Sequence, residues 1–144
     1  MHRDLDAATR APGKTGNAAR TVVRILQPHF LRENDFATPP LGLLRRLADG
    51  RFASSMAEVV VMMERLKTEL PFMHQEHTAI AGALEEFRTA ASDEGQAECV
   101  QLADRLLRHA AEEEEILYPA AIVVGEYVKL RLETEERRTH VAGR

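Results

Sequence analysis

The sequence contains a single cysteine, Cys99, and no long apolar run. One cysteine excludes a disulfide framework within the chain and is compatible with a reducing compartment. The apolar stretches are far shorter than the ~20 residues that a membrane-spanning helix needs, so we expect no membrane partner. The first ten residues, MHRDLDAATR, lack the apolar segment of a secretory signal peptide. We therefore expect a cytoplasmic protein.

An excess of positive charge is also missing. The chain has 19 Lys and Arg against 23 Asp and Glu, a formal net charge of -4. Nucleic acids and anionic membrane surfaces attract basic proteins, so neither is an expected partner. With 44% apolar and 29% charged residues over 144 positions, the chain suits one globular domain, residues 1–144, with a real core.

Signals for β-strands are scarce, and helical periodicity dominates. The clearest helix is predicted from about Ser54 to Ala91, where apolar side chains recur every three or four residues. Its expected buried stripe consists of Met63, Leu66, Leu70, Met73, His77, Ile80, Leu84 and Phe87. The pattern therefore predicts one long amphipathic helix with a histidine in its buried face.

Two further long helices are predicted, from about Asn17 to Asp35 and from about Gln96 to Glu136. Residues 1–16 are expected to form a short N-terminal helix and a loop, because Pro12, Gly13 and Gly16 interrupt the helical pattern. Residues 137–144 are expected to form a frayed polar tail. Together these elements predict an all-α fold, an antiparallel four-helix bundle.

One short pattern occurs twice, as HFLRENDFATPP from His29 and as HAAEEEEILYP from His109. In both copies a glutamate follows the histidine by four positions, an apolar residue by seven and a proline by ten. Side chains four residues apart lie on the same face of a helix, so each His and Glu pair could bind one ion. The duplication favours a shared metal site.

These polar residues fall where the helical pattern predicts apolar ones. His77 lies within its stripe, and the steps Leu102, Leu106, His109, Glu113 and Ile116 also have helical spacing. A buried carboxylate without a compensating cation is costly. Imidazole nitrogen together with carboxylate oxygen suits iron, manganese or zinc. The predicted metal ligands are therefore His29, Glu33, His77, His109 and Glu113.

Several alternatives stay open at this point. His74 lies three residues before His77 and could be a further ligand or an edge residue. Glu114 would replace Glu113 if the helix were rotated, whereas Glu76 lies off the stripe and is expected to be solvated. Tyr118 could donate a hydrogen bond near the site or pack at the end of the bundle. A buried His and Glu network without metal would also give the same sequence pattern.

The segments HFLRENDFATPPLGLL, ELPFMHQEHTAI and RHAAEEEEILYPAAIVVGEY resemble the hemerythrin-like, HHE cation-binding domain. The resemblance covers about residues 17–130. It implies a four-helix bundle with a non-haem centre of two iron ions, which an oxo or hydroxo group can bridge. It also implies that the two His and Glu pairs and His77 bind the metal.

The resemblance also implies another inward-facing histidine on the first helix. In this sequence His2 is the one histidine before the break, so it is a further candidate ligand together with His74. A short or truncated first helix would leave apolar surface exposed, which favours a homodimer.

The expected function is that of an iron protein that binds or senses O2, NO or an oxidant such as peroxide, or that handles iron. A second hypothesis is a di-iron enzyme with oxidase or peroxidase-like turnover. A third is a helical regulatory module without metal. The sequence favours a metal-binding protein over an enzyme.

Overall fold

The computed structural model describes residues 2–142, apart from the side chains of His2 and Ala142. Six α-helices are found there: α1, His2–Ala8; α2, Gly13–Arg32; α3, Leu44–Ala48; α4, Glu58–Asp93; α5, Ala97–Glu112; and α6, Tyr118–Ala142. Short helical segments join them: two π-helical turns, Glu33–Ala37 and Glu113–Leu117, and two 3-10 turns, Pro39–Leu43 and Ser54–Ala57. No strand occurs among these residues, so the predicted all-α class is confirmed. None of the helices in residues 2–142 is long and apolar enough to cross a membrane.

The helix bounds differ from the predicted ones at several places, among them the start of the second helix and the C-terminal tail. The second helix begins at Gly13 rather than near Asn17, because the carboxylate of Glu94 accepts hydrogen bonds from the backbone N–H groups of Lys14 and Thr15. These are donors that the first turn of a helix leaves without partners in the helix itself. The tail predicted for residues 137–144 is helical as far as Ala142; residues 143–144 lie outside the described part.

Glycine is required at the start of α2. Gly13 has a φ of +74°, and a Cβ atom there would lie 2.3 Å from Oε1 of Glu94. The missing side chain therefore permits both the left-handed backbone and the close approach of the capping carboxylate.

Contacts divide the chain into two compact units. The first comprises Met1–Leu31 and Pro71–Glu114. Its core is formed by apolar side chains of α1, α2, α4 and α5, namely Leu5, Ala8, Ala19, Val22, Leu26, Ile80, Ala83, Leu84, Phe87, Leu102, Ala103 and Leu106. The short helix α1 thus contributes two side chains to a larger core.

The second unit comprises Arg32–Leu70 and Glu115–Arg144. Met56, Val59 and Val128 form a buried cluster in it, with Leu43, Leu47 and Phe52 packed against them. The backbones of α4 and α6 come close within this unit, because Gly125 offers no side chain where Met63 packs. Ion pairs on the surface link the same helices through Lys129 and Glu64.

The predicted stripe of α4 is confirmed. Met63, Leu66, Met73, Leu84 and Phe87 are fully buried, Ile80 and His77 nearly so, and Leu70 is half-buried. Pro71 lies inside α4 and Pro28 inside α2, and both helices continue past them.

Candidate metal centre

The two copies of the repeat share a local structure. Glu33 and Glu113 are each the first residue of a π-helical turn. In the first copy the N–H of Thr38 donates to the carbonyl oxygen of Glu33 at 2.9 Å, a bond that spans five residues. Such turns widen a helix by one residue and often occur at functional sites. Both predicted His and Glu pairs therefore lie where a regular α-helix gives way to a wider turn.

The π-helical turn also corrects one prediction. Ile116 was expected to continue the buried stripe of Glu113, but 59% of its side chain is exposed, so that prediction is wrong. Tyr118, five residues after Glu113, is buried instead, with 1% exposed. Hydrogen bonds of a π-helical turn span five residues instead of four, so the spacing of side chains after Glu113 departs from the α-helical period that the sequence pattern had assumed.

Four of the predicted ligands lie together. His29, Glu33, His77 and Glu113 each offer one nitrogen or oxygen atom, and these four atoms lie within 4.8 Å of one another. All four residues are buried, with 1% to 6% of their surface exposed. They come from distant parts of the chain, so the grouping is a product of the fold.

The two imidazole rings face each other. Nε2 of His77 lies 2.9 Å from Nε2 of His29 and 3.3 Å from Oε2 of Glu113. Two neighbouring ligands of one octahedral ion, each bonded at about 2.1 Å, are about 3 Å apart. The spacing and the donor types therefore fit a transition-metal ion.

The other nitrogen of each ring contacts a carboxylate. Nδ1 of His29 lies 3.2 Å from Oε2 of Glu76, and Nδ1 of His77 lies 2.9 Å from Oε1 of Glu114. Sequence reasoning missed Glu76, which was expected to be solvated; only 14% of its side chain is exposed. The position of Glu76 directly before His77, at the border of the buried face, was the feature of the sequence that could have indicated a partly buried side chain.

The charges around His77 favour a cation there. Burial lowers the pKa of His77, but hydrogen bonds to Glu113 and Glu114 and the charges of these carboxylates outweigh it. The net result is a pKa above the ordinary value for histidine. The same arrangement that favours a proton on the ring favours a metal ion beside it.

His109 lies at the edge of the group. Its side chain is 35% exposed, and Nε2 lies 2.8 Å from Oε1 of Glu113. The two oxygens of Glu113 therefore face different histidines, His109 and His77. His109 is not one of the four residues whose donor atoms lie within 4.8 Å of one another.

Comparison with known families shows which family the chain belongs to. The sequence model of the hemerythrin HHE cation binding domain matches residues 1–121. The chain belongs to the hemerythrin family. The resemblance that the sequence motifs carried is thereby confirmed, and the all-α fold is that of the family's helical bundle. The match also includes α1, which the motifs alone had not covered. Comparisons with curated proteins and with solved structures gave no match.

The remaining candidate ligands of the hemerythrin domain are His74 and His2. His74 is exposed on α4, and it is not part of the four-residue group. His2 begins α1, but its side chain lies outside the described part of the chain, so its role stays a prediction. Tyr118 makes the hydrogen bond that was one of its two predicted roles: Oη donates to Oε1 of Glu33 at 2.9 Å, and both groups are buried.

A small cavity of the hemerythrin domain adjoins the histidines. Its accessible volume is about 10 Å³. The lining residues are His29, His77, His109 and Glu113 together with the apolar Leu26, Phe30, Ile80, Leu84, Leu106 and Ala110. Because one water molecule needs about 10 to 15 Å³ of such volume, the space admits a ligand of a few atoms at most.

Proposed function

We propose that the domain is a non-haem iron protein with a two-iron centre that binds or senses O2, NO or an oxidant such as peroxide. Membership of a cation-binding family supports a metal-binding function. The side chains that would donate to the metal are those of the buried group His29, Glu33, His77 and Glu113. Iron is the metal we propose, with manganese or zinc as the alternatives that the same donors suit. The grouping of the four donor atoms is the observation that carries the proposal.

The residues have distinct roles in this proposal. His29, His77 and His109 offer neutral nitrogen donors, and Glu33 and Glu113 offer carboxylate oxygens that neutralise metal charge. The two oxygens of Glu113 face two histidines, 2.8 Å and 3.3 Å away, which suits a carboxylate shared between two ions. Bound iron supplies a coordination position for a small ligand and a change of oxidation state.

The size of the cavity argues against an organic substrate. The volume of about 10 Å³ and the mainly apolar wall favour a small molecule of low polarity over an organic substrate. Leu26, Phe30 and Leu106 contribute to this wall, and the burial of His29 and His77 limits competition from water.

Metal loading tests the proposal. Protein purified from iron-rich culture should contain about two irons per chain, a content known from di-iron carboxylate bundles. Elemental analysis measures the content, and absorption spectra before and after addition of O2 or NO show whether the centre binds either gas. A colourless protein without metal would contradict the proposal. Repeated consumption of O2 or peroxide with a reductant would instead indicate an enzyme.

A metal-free regulatory module is the second candidate, and one observation favours it. Among the residues that the structure describes, every buried side-chain nitrogen or oxygen has a hydrogen-bond partner. The His and Glu side chains can therefore be satisfied by one another. A chelator leaves the melting temperature of such a module unchanged, whereas it lowers that of a metal protein.

A further inference from the structure

We infer that Glu76 and Glu114 are positioning residues, which bind no metal themselves but fix the two histidines so that both Nε2 atoms face the ion. The inference rests on the proposed function, because it concerns how the metal ligands are held. Its evidence is the pair of contacts from Glu76 to His29 and from Glu114 to His77.

The proton positions follow from the chemistry of the partners. An ionised carboxylate can only accept a hydrogen bond, so Nδ1 of His29 and Nδ1 of His77 must both carry a hydrogen. In a neutral ring the other nitrogen, Nε2, then has a lone pair and no hydrogen. Each carboxylate therefore selects the tautomer in which Nε2 can bind metal.

The two selected lone pairs point at each other. Nε2 of His29 and Nε2 of His77 are 2.9 Å apart, and two lone pairs at that distance repel unless a cation lies between them. A metal ion held by both nitrogens would remove this repulsion. Metal-binding histidines commonly donate their other N–H to a carboxylate in this way.

The partner of each glutamate is not the histidine or ligand next to it in the sequence. Glu76 precedes His77 but contacts His29, and Glu114 follows Glu113 but contacts His77. Successive residues of a helix point in directions about 100° apart, so a glutamate cannot reach the ring beside it and instead reaches one on another helix. The pairs therefore link α2 to α4, and α4 to the turn Glu113–Leu117.

Substitutions separate orientation from charge. Glu76→Ala and Glu114→Ala remove the acceptor, whereas Glu76→Gln and Glu114→Gln keep an amide oxygen that can accept the same Nδ1–H. The matched controls are Glu86→Ala on α4 and Glu115→Ala in the same π-helical turn as Glu114, both at exposed positions.

Affinity for Fe(II) is measured anaerobically against a chromophoric chelator. Each alanine variant should bind about 10 to 100 times more weakly than the wild type, and each glutamine variant should recover to within a few-fold. The controls should bind like the wild type. Alanine variants with wild-type affinity would overturn the inference, and so would glutamine variants as weak as the alanine ones.

A second measurement does not need metal. Nitrogen-15 NMR of the imidazole rings in the metal-free protein should show a hydrogen on Nδ1 of both His29 and His77, and Glu76→Ala should change this for His29 alone. Rings with no hydrogen on Nδ1 would overturn the inference. A wild type that binds no Fe(II) but keeps the Nδ1 hydrogens would refute the proposed iron function and leave the orientation by Glu76 and Glu114 intact.

Discussion

His29 and His77 face each other through Nε2 atoms 2.9 Å apart, although 48 positions separate them in the sequence. Their ring centroids are 4.6 Å apart and the ring planes are inclined by 59°. The rings are therefore tilted against each other and not stacked, with their Nε2 atoms in contact.

Removing one ligand histidine should reduce metal binding. His77→Ala takes away a nitrogen that lies near both His29 and Glu113, so we expect iron content to fall by about tenfold or more under limiting metal. His74→Ala is the matched control, because His74 is exposed three residues earlier on the same helix. Elemental analysis of both purified variants measures the difference. Equal iron content in the two variants would contradict the ligand role of His77.

Metal removal should lower the melting temperature. A ligand that binds the folded state at 100 times its dissociation constant stabilises it by about 2.7 kcal/mol. For a domain of this size that corresponds to roughly 5 to 10 °C. Differential scanning calorimetry of the iron-loaded and chelated protein measures the shift. An unchanged melting temperature would favour the metal-free module.

Two glycines within helices should respond in opposite directions to alanine. A Cβ atom at Gly125 would lie 2.3 Å from Cβ of Met63, and Gly125→Ala should lower the free energy of unfolding by about 1 to 3 kcal/mol. Gly82→Ala meets no atom within 4 Å and should raise it by about 0.5 to 1 kcal/mol. Urea unfolding of both variants measures the contrast. A stable Gly125→Ala would mean that α4 and α6 can separate at little cost.

The cap at the start of α2 should make stability depend on pH. The hydroxyl and N–H of Thr15 and the N–H of Lys14 donate to Glu94, and these bonds hold its pKa below the ordinary value. The pKa of Glu94 is therefore lower in the folded protein than in the unfolded chain, where it is about 4.3. The ionised cap stabilises the fold fully above that unfolded pKa, and this stabilisation is lost as the pH falls through the folded-state pKa.

Glu94→Gln removes the charge of this cap. Its melting temperature should be lower than that of the wild type at pH 7, and the difference should shrink as the pH falls below about 4.3 and through the lowered folded-state pKa of Glu94. Asp93→Asn, at the exposed neighbouring position, is the control and should have no such pH-dependent effect. A difference between wild type and Glu94→Gln that stays constant down to pH 2 would contradict the assignment of the cap.

The sequence predicted the helical class and the buried face of α4, because apolar spacing records which side of a helix is buried. It also singled out His29, Glu33, His77 and Glu113, since polar residues at buried positions interrupt that spacing. The fold brings these four together. His109 is only partly buried, and this depends on neighbouring helices that the pattern of a single helix does not describe.

The sequence pattern assumed a regular α-helical period throughout, and this assumption failed after Glu113. Ile116 is exposed where the predicted stripe had it buried, because a π-helical turn follows Glu113 and changes the helical spacing there. A turn of this kind depends on the packing around it and leaves no fixed residue pattern, so sequence spacing could not reveal it.

By itself the sequence determined which polar residues stand at positions where the helical pattern predicts buried apolar ones. These are histidines and glutamates, and the pair of them occurs in two copies. Only the tertiary structure decided how they meet. Glu76 contacts His29, Glu114 contacts His77, and Glu94 caps α2 from about 80 residues away. These are contacts between helices, and residue spacing along one helix records which face is buried without recording which residues of another helix lie against it.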